Sequence, residues 1–409
     1  MEIKMYNVGF GECIQLHSNN SKMLIDCGSE LTNSRSKYPI LRDEVFKRIM
    51  NETEAKQSDE KPDAMISHFH TDHINGFYWM EKQHPKIFGR VFIPDIFTLN
   101  KHPNYLDVTI LEQILRSILY PGAQTTTLWD FLDRLIENNE NIVPLCRKQD
   151  AFSFDNHSFD VLWPAPNMEP TKEAEEIFEQ YGIAEIKDRV YLLSDNVQNS
   201  IQQHDGHNYD NTFRIKSVNR RIPAIKNRLL KAIQKQDNNK SDGYSKQLSP
   251  EQVDRFRDYY ERMKKEINNT SIVCQAECDK KPALFTGDVE AETLSWIIRK
   301  EDNQIPCFPY YYVIKAPHHG TESHYIKFDV KYTYLLISNG FTSYFEKSRG
   351  PVSAQYKNNT KGIVLCTNVD PDRCEFWENN EKPCPGCSMK YNMKEYQMGV
   401  CWNCESITV

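Results

Sequence analysis

The chain has 409 residues, of which 39% are hydrophobic, and it carries a formal net charge of −7. This composition excludes a disordered or fibrous chain and is sufficient for one large domain with an appendage, or for two domains. The negative balance excludes a global basic field, so a nucleic acid would have to bind a local basic patch. No apolar run approaches the roughly 18 residues of a membrane span, so we expect no membrane partner.

The first residues bear on the cellular compartment. Residues 1–8 have the pattern of a strand, without the charged leader and apolar segment of an export signal, so we expect a cytoplasmic protein. In that compartment the twelve cysteines are expected to be thiols or metal ligands rather than disulfides.

Strands and helices alternate in the N-terminal third of the chain. Short strands are predicted at 1–8, 13–16, 22–26 and 64–67, with turn signals at Gly9 and Gly11. Apolar residues at three- and four-residue spacing predict helices at 109–119 and 128–137, and a further helix is expected at 74–83.

From about 167 to 267 the chain is polar and rich in Asn, Gln and Lys. This stretch ends in a well-specified helix, because Ser249 is a good N-cap, Pro250 suits the first turn and Gln252 completes a capping box. We therefore expect a helical insertion into a larger fold.

The earlier pattern returns after the insertion. Strands are predicted at 271–275, 283–286, 312–315, 334–337 and 362–365, with a helix at 291–299. The two halves together predict a layered α/β protein with a main domain at 1–375 and a short segment at 376–409.

The segment HFHTDH, residues 68–73, directly follows a predicted strand. Histidine and carboxylate side chains are ligands for zinc, and also for manganese or iron. On a loop after a strand, His68 and His70 can point the same way, while Asp72 and His73 turn the corner towards a second metal. The segment therefore predicts a centre for two divalent metals, with zinc as the first choice.

The segment resembles the metal-binding motif of the metallo-β-lactamase superfamily, whose pattern also needs an Asp after an early strand, a bridging Asp and a late His. Asp26 in LIDCG, Asp288 in LFTGD, and His318 or His319 in KAPHHG fit these places in the expected order. The resemblance implies the αβ/βα four-layer sandwich of that superfamily, here with a helical insertion and a C-terminal segment like a zinc ribbon.

A closer likeness is to the branch that contains the hydrolase domain of the DNA-uptake protein ComEC and the phosphorylcholine esterases. The turn VGFGEC at 8–13, the segment NNTSIV at 268–273 and the TGD and HHG motifs carry this likeness. It covers roughly residues 1–370 apart from the insertion, and it implies that Asn269 and Ser271 contact the substrate.

The chain departs from the pattern at two points. Many members of the superfamily have a further histidine before the bridging Asp, and here only His204 or His207 of the insertion could take its place. The branch also has His-Pro after an S-x-G strand, whereas SNG at 338–340 is followed only much later by GP at 350–351. A histidine that contacts substrate in that branch would then be absent.

The resemblance implies a two-metal hydrolase. Asp288 would bridge the metals, and Asp26 would orient ligands by hydrogen bonding. Asp72, His318 and His319 complete the set expected to act in catalysis. One member of the His318–His319 pair would bind metal, while the other would contact a phosphate oxygen or protonate the leaving group. The sequence leaves open which histidine has which role.

Two CxxC pairs with thirteen residues between them lie near the C-terminus, at Cys384, Cys387, Cys401 and Cys404. Thiolates at this spacing can close a tetrahedral site around one structural zinc. Such ribbons serve as structural caps or bind nucleic acid or protein, so the segment does not by itself identify a partner.

Residues 214–246 hold ten Lys or Arg against two acidic residues. On a helix, this run presents either a solvated surface or a surface that binds phosphates. The phosphate-binding candidates are Arg220, Arg221, Arg228 and Lys231.

Three functions are consistent with these patterns. The first is a two-metal phosphodiesterase or nuclease acting on nucleic acid. The second is an esterase or phosphodiesterase for a small phosphorylated molecule. The third is an interaction protein that uses a hydrolase-like core and docks a protein partner through the insertion or the zinc ribbon.

Overall fold

The computed structural model describes residues 1–18, 21–31, 41–54, 60–97, 101–120, 127–138, 141–146, 151–166, 168–170, 184–202, 215–237, 248–278, 280–299, 306–340, 351–358, 362–367 and 405–408. The chain divides into two compact units. The first comprises Met1–Pro94, Glu140–Pro166 and Asn269–Val409, and the second comprises Asp95–Asn139 and Asn167–Asn268.

The described strands all belong to the first unit. They are β1 (Glu2–Met5), β2 (Cys13–Ser18), β3 (Ser21–Cys27), β4 (Asp63–Met65), β5 (Arg90–Pro94), β6 (Asn141–Leu145), β7 (Ala151–Phe154), β8 (His157–Trp163), β9 (Val273–Cys278), β10 (Lys281–Phe285), β11 (Tyr310–Lys315), β12 (Lys331–Ile337), β13 (Ile363–Cys366) and β14 (Glu405–Thr408).

Helices occur in both units. They are α1 (Arg42–Thr53), α2 (Thr71–Gln83), α3 (Tyr105–Leu119), α4 (Thr127–Glu137), α5 (Ala184–Gln202), α6 (Ser217–Asp237), α7 (Pro250–Asn268), α8 (Ala291–Ile298) and α9 (Gln355–Asn358).

Two seven-stranded sheets form the first unit, in the orders β14-β1-β2-β3-β4-β5-β6 and β13-β12-β11-β10-β9-β8-β7. Each sheet is antiparallel on one side and parallel on the other. The parallel pairs β3–β4 and β10–β11 lie where the two regimes meet. The carboxyl ends of parallel strands meet at one edge of a sheet, so polar residues that directly follow these strands are brought together.

An apolar core lies between the two sheets. Alternate residues of the strands supply it, because successive side chains of a strand point to opposite faces. The first sheet contributes Ile3, Met5 and Ile25, and the second contributes Phe159, Phe285 and Val313.

Helices cover the outer faces of this sandwich. Helix α2 packs against β3 and against α1. On the other side, Leu294 and Ile298 of α8 join an apolar cluster with Ile314 and Leu335 of the second sheet. The layers are therefore helix, sheet, sheet and helix, which confirms the predicted mixed α/β architecture with two sheets.

The described part of the C-terminal segment is β14, which pairs antiparallel with β1. The four cysteines of the predicted ribbon lie outside the described residues, so the zinc ribbon remains a prediction. The boundaries of the predicted domains also remain predictions.

The second unit is helical in its described part. Helix α3 begins with a capping box in which the Asn104 side chain accepts from the Asp107 N–H and the Asp107 side chain accepts from the Asn104 N–H. The capping box predicted for α7 is confirmed, since Gln252 N–H donates to Ser249 Oγ (3.3 Å) and Ser249 N–H donates to Gln252 Oε1 (2.8 Å).

Helix α6 of this unit carries much of the basic run. It buries Val218, Ile222, Ile225 and Leu229. Its exposed residues include the four predicted phosphate-binding cations, Arg220, Arg221, Arg228 and Lys231. None of the helices in the described ranges is both long enough and apolar enough to cross a membrane.

Candidate metal centre

The residues of the candidate centre follow strands that end at one edge of the sandwich. Asp26 is the penultimate residue of β3, and residues 66–73 connect β4 to the first turn of α2. From the second sheet, Thr286, Gly287 and Asp288 follow β10, and residues 316–319 follow β11. Both sheets thus supply polar side chains to the same edge of the first unit.

Close backbone packing positions these loops. Gly287 has φ +53°, and a Cβ atom there would lie 2.8 Å from Ser271 Cβ and 2.9 Å from Ser67 Cβ. A Cβ atom on Gly28 would lie 2.1 Å from the carbonyl carbon of Asp72. No side chain fits at either position, so the two glycines allow the loops to approach one another.

Three residues of the centre adopt backbone conformations that are rare for non-glycine residues. Asp26 has φ +53°, His318 has φ +47° and His319 has φ +57°. Such conformations each cost about 1–3 kcal/mol and persist where the surrounding structure enforces them, often at functional sites.

Asp288 lies at the middle of the buried cluster. Its Oδ2 atom is 3.2 Å from His73 Nε2 and 3.3 Å from His319 Nε2. His319 Nε2 is also 3.3 Å from Asp72 Oδ2. Four overlapping groups of buried side chains among the described residues could each hold a metal ion: His68, His73 and Asp288; Asp72, His73 and His319; Glu12, Asp26 and His73; and Glu12, Asp288 and His319.

Asp26 orients the donor side chains by accepting hydrogen bonds. Its Oδ1 accepts from the Ser67 N–H (2.7 Å), and its Oδ2 accepts from the Ser67 hydroxyl (2.7 Å) and from His73 Nδ1 (2.9 Å). His73 therefore donates a hydrogen bond from Nδ1 to the Asp26 carboxylate, and its Nε2 faces Asp288. A carboxylate behind a histidine in this way fixes the ring and raises its basicity as a ligand.

The same carboxylate fixes the proton of His68 through Ser67. The Ser67 hydroxyl donates its only proton to Asp26, so its oxygen accepts from His68 Nδ1 at 3.1 Å. His68 then presents the lone pair of Nε2, which lies 3.0 Å from His70 Nδ1. These two nitrogens are the converging donors of the His-rich loop.

The two histidines of the HHG motif face different surroundings. His319 is buried, and its Nδ1 donates to the carbonyl of Ser338 (3.0 Å), so Nε2 points towards Asp72 and Asp288. The ring of His318 instead stacks on His324 with centroids 3.5 Å apart. His318, His324 and Glu290 form a separate half-buried group that could hold a metal ion.

Burial and neighbouring charges set the protonation of the cluster. Burial lowers the pKa of His68 to about 3, and the nearby His73 acts in the same direction, so His68 is a neutral donor. Burial disfavours the imidazolium of His73, but the Asp288 and Asp26 carboxylates outweigh it and hold the pKa of His73 well above its usual range. Burial opposes the charge of Asp288, yet His319, His73 and Lys315 hold its pKa well below its usual range.

These side chains fit a metal by their arrangement as well as by their chemistry. His319 Nε2 is buried and makes no hydrogen bond, although two carboxylate oxygens lie 3.3 Å from it. A cation between His319 Nε2 and these two carboxylate oxygens would have all three atoms as donors. Nitrogen and oxygen donors of this kind suit zinc, manganese or iron.

Other predicted site residues have different surroundings. Asn269 Oδ1 accepts from Thr293 Oγ1 (3.0 Å) and from the Glu290 N–H (3.4 Å) beside the start of α8. Ser271 is buried, and its Oγ accepts from the Asp288 N–H at 3.0 Å. Both side chains hold loops of the centre in place, and their contact with substrate remains a prediction. His204 and His207 lie outside the described residues.

Sequence reasoning assigned no role to three polar residues of the centre, namely Ser67, Glu12 and Lys315. Ser67 transmits the influence of Asp26 to His68. Glu12 and Lys315 form a buried ion pair at 2.5 Å. Glu12 lies in the segment VGFGEC, and Lys315 lies in the segment KAPHHG. The sequence signal that could have identified them is a charged residue next to the end of an apolar strand.

Comparisons with known proteins add little beyond this geometry. No protein-family model matches the chain, and no curated protein does. Among solved structures, the chain is similar to the metallo-β-lactamase fold protein YhfI from Bacillus subtilis, at 10% sequence identity over 89% of this chain and 96% of that chain, with a TM-score of 0.34. Structural similarity at this TM-score does not identify a function for the chain.

Proposed function

We propose that this chain is a metal-dependent hydrolase of the metallo-β-lactamase superfamily and that it cleaves phosphodiester bonds in nucleic acid. The observation that most supports a two-metal centre is the position of Asp288 Oδ2, which lies 3.2 Å from His73 Nε2 and 3.3 Å from His319 Nε2. Asp288 also lies in a group with His68 and His73. One carboxylate that faces two sets of donors has the arrangement of a bridging ligand.

We assign the ligands from these groups and, for His70, from the 3.0 Å approach of its Nδ1 to His68 Nε2. His68, His70 and Asp288 would hold one divalent metal, and Asp72, His73 and His319 would hold the second, with Asp288 shared. Zinc is our first choice, with manganese or iron as alternatives. A metal pair of this kind, when bound, neutralises a phosphoryl oxygen and supplies a hydroxide near neutral pH.

The protein's own groups orient and complete the centre in this proposal. Asp26 holds the protons of His73 and, through Ser67, of His68 on the nitrogens that face away from the donors. Asp72 lies in the first turn of α2, where the helix N-terminus favours its negative charge.

His318 is the residue of the HHG motif that we assign to the substrate. His318 is half-buried, and it precedes His319 in the loop after β11. It lies in a group with Glu290 and His324 and in none of the groups that contain Asp288. It would contact a phosphate oxygen or protonate the leaving oxygen, with the stacked His324 and the nearby Glu290 behind it.

Two features support nucleic acid as the substrate. The motifs of the chain resemble those of the branch that contains the ComEC hydrolase domain. In addition, Arg220, Arg221, Arg228 and Lys231 are exposed on α6, where cations of this kind bind phosphates in a sequence-independent way. A structural zinc at Cys384, Cys387, Cys401 and Cys404 completes the proposal.

The test is a panel of single-stranded and duplex DNA and RNA, together with bis-p-nitrophenyl phosphate, assayed with added Mn²⁺ or Zn²⁺. We expect wild type to cut a polynucleotide. Asp288→Ala should lose activity by more than the roughly 10–100-fold that loss of an outer-shell partner costs. Asp329→Ala is the matched control, because this carboxylate is 60% exposed and paired only distantly with Arg299 at 3.7 Å. It should leave activity unchanged.

The panel also separates the other functions. Cleavage of the small diester without cleavage of any polynucleotide would replace the nuclease by a small-molecule phosphodiesterase. Activity that persists in Asp288→Ala would contradict the assignment of the centre. No hydrolysis of any substrate by metal-loaded wild type would favour an interaction protein with a hydrolase-like core.

A further inference from the structure

We infer that Lys315, supported by Glu12, is a positioning residue of the metal centre: it engages one oxygen of Asp288 and thereby reserves the other oxygen for metals. This inference rests on the proposed function, because it concerns the ligand that would bridge the two metals. It assigns a role to a buried charged pair, neither member of which we assign as a metal ligand.

Lys315 is the last residue of β11, and its side chain is 1% exposed. Its ammonium group faces three acceptors: the carbonyl of Gly287 at 2.8 Å, Asp288 Oδ1 at 3.2 Å and Glu12 Oε2 at 2.5 Å. The first two contacts are hydrogen bonds, and the third is an ion pair, since Glu12 Oε2 makes no hydrogen bond. Lys315 is therefore fixed in direction by its own partners.

The contacts of Lys315 divide the two oxygens of Asp288. Oδ1 faces the ammonium group, whereas Oδ2 faces His73 Nε2 and His319 Nε2. A half-turn of the carboxylate only exchanges two equivalent oxygens, but any smaller rotation would move one oxygen away from Lys315 and the other away from the two histidines. The Asp288 N–H is held at the same time by Ser271 Oγ at 3.0 Å. Backbone and side chain of Asp288 are thus both fixed, which leaves one oxygen aimed between the histidines.

Glu12 offsets the unfavourable burial of the Lys315 charge. An unpaired charge is strongly disfavoured in the protein interior, and the Glu12 side chain is itself 1% exposed. The two side chains lie 2.5 Å apart, so each buried charge has a partner of opposite sign. The backbone of Glu12 also contacts the His-rich segment, since its N–H donates to the Asp72 carbonyl at 3.1 Å.

Two roles for Lys315 predict opposite signs for one variant. If its charge acted only electrostatically, Lys315→Met would remove a positive charge beside the metals, and divalent cations would bind more tightly. If it positions Asp288, the same variant would free the carboxylate, and cations would bind more weakly. A third possibility is that the pair only stabilises the fold, in which case restoring charge balance should restore metal binding.

The experiment compares Lys315→Met, Glu12→Gln and the double variant, which keeps the net charge of wild type. Zinc dissociation constants of metal-free protein are measured by chelator competition, and the Tm of the metal-free protein is measured alongside. We expect Lys315→Met to lower the Tm and to weaken zinc binding by roughly 10–100-fold, as for other outer-shell partners. The double variant should recover most of the Tm and still bind zinc weakly. Glu12→Gln, which keeps the contact between Lys315 and Asp288, should affect binding less.

A matched control uses another ion pair of the first unit. Arg90 and Asp63 lie 2.5 Å apart and are less buried, so Arg90→Met with Asp63→Asn removes a pair without touching the centre. Zinc binding should be unchanged in that variant. Zinc binding as tight as wild type in the Lys315→Met/Glu12→Gln double variant would overturn the positioning role, and so would tighter binding in Lys315→Met. If wild type itself bound no zinc at the centre, the proposed function would fail first, and the two failures are thereby distinguished.

Discussion

The metal centre and the basic face of α6, formed by Arg220, Arg221, Arg228 and Lys231, carry their charges in opposite ways. In the centre the charged side chains are buried, and Asp26 alone accepts three hydrogen bonds. On α6 the four cations are exposed. A buried ionic group needs its partners, and removing one costs about 3–5 kcal/mol, whereas an exposed charge changes stability by about 0.5 kcal/mol or less.

The difference bears on what each region reveals about function. The positions of buried donors are set by one another, so the centre indicates a particular chemistry and a particular set of ligands. An exposed basic face fits any polyanion, and it equally fits no ligand at all. The proposal of hydrolytic chemistry therefore depends on the buried centre. The proposal of nucleic acid as the substrate depends on the basic face of α6, which is the less specific of the two regions.

The largest expected effect is the loss of metal from the centre. We expect wild type to contain about three metals per chain, two in the centre and one in the cysteine segment. Replacing His68 and His70 together with alanine should remove at least the metal that these two histidines hold and leave about two, because the other ligands are unchanged. Elemental analysis of the purified variants measures this directly.

A cysteine variant is the matched control for that measurement. Cys384→Ser with Cys401→Ser should lose only the proposed structural zinc and keep the two metals of the proposed centre. The segment after residue 375 should become more sensitive to proteolysis. An unchanged metal content in the double histidine variant would contradict the centre, and unchanged zinc together with unchanged protease resistance in the cysteine variant would contradict the ribbon.

A smaller effect is the pH dependence that His73 imposes. Its pKa in the folded protein lies well above its usual range, because the Asp288 and Asp26 carboxylates outweigh burial. Its charge therefore stabilises the metal-free fold fully below the unfolded pKa of about 6.5, and this contribution is lost as the pH rises through the folded value. A metal needs the neutral ring, so affinity should rise over the same window.

Unfolding in denaturant and zinc competition, each at about pH 6 and about pH 9, measure the two slopes. The contribution of His73 to the free energy of unfolding of the metal-free protein should fall as the pH rises, whereas the affinity for zinc should rise. His73→Gln should remove the stability slope, since the glutamine does not titrate. A metal-free protein whose pH profile is the same with and without His73 would exclude this role.

Much of the first unit could be predicted from its sequence. Strand patterns located β3, β4, β10 and β11 to within a few residues, and these are the strands that end at the centre. The spacing of HFHTDH and the position of Asp288 after a strand then predicted a cluster of donors, which the structure brings together. Local patterns suffice here because each donor directly follows a strand with a clear apolar run.

Other features depend on contacts that no local pattern contains. Helix α3 was predicted to begin at 109, but Asn104 and Asp107 cap it from Tyr105. Helix α1 and strands β5, β6, β7 and β8 were not predicted, because their short or mixed apolar patterns gain their structure from packing in the sandwich. The different surroundings of His318 and His319 arise from their contacts with His324 and Ser338, which the HHG motif itself does not contain.

The smallest expected effect, and the one that bears most directly on the comparison of the two regions, concerns the basic face of α6. Charge reversal at Arg220, Arg221, Arg228 and Lys231 should weaken polynucleotide cleavage and flatten its salt dependence, by roughly one unit of slope for each phosphate that is no longer bound. Hydrolysis of bis-p-nitrophenyl phosphate should persist, because the donors of the centre are unchanged. Reversal of Arg255, Arg257 and Lys265, three exposed cations of α7, is the control, to be compared with a reversal of Arg220, Arg221 and Arg228 alone, and should have little effect. If both reversals weakened cleavage equally, the face of α6 would have no specific role in binding. If the small diester were no longer hydrolysed either, α6 would support the structure of the enzyme, and the case for a small phosphorylated substrate would be the stronger one.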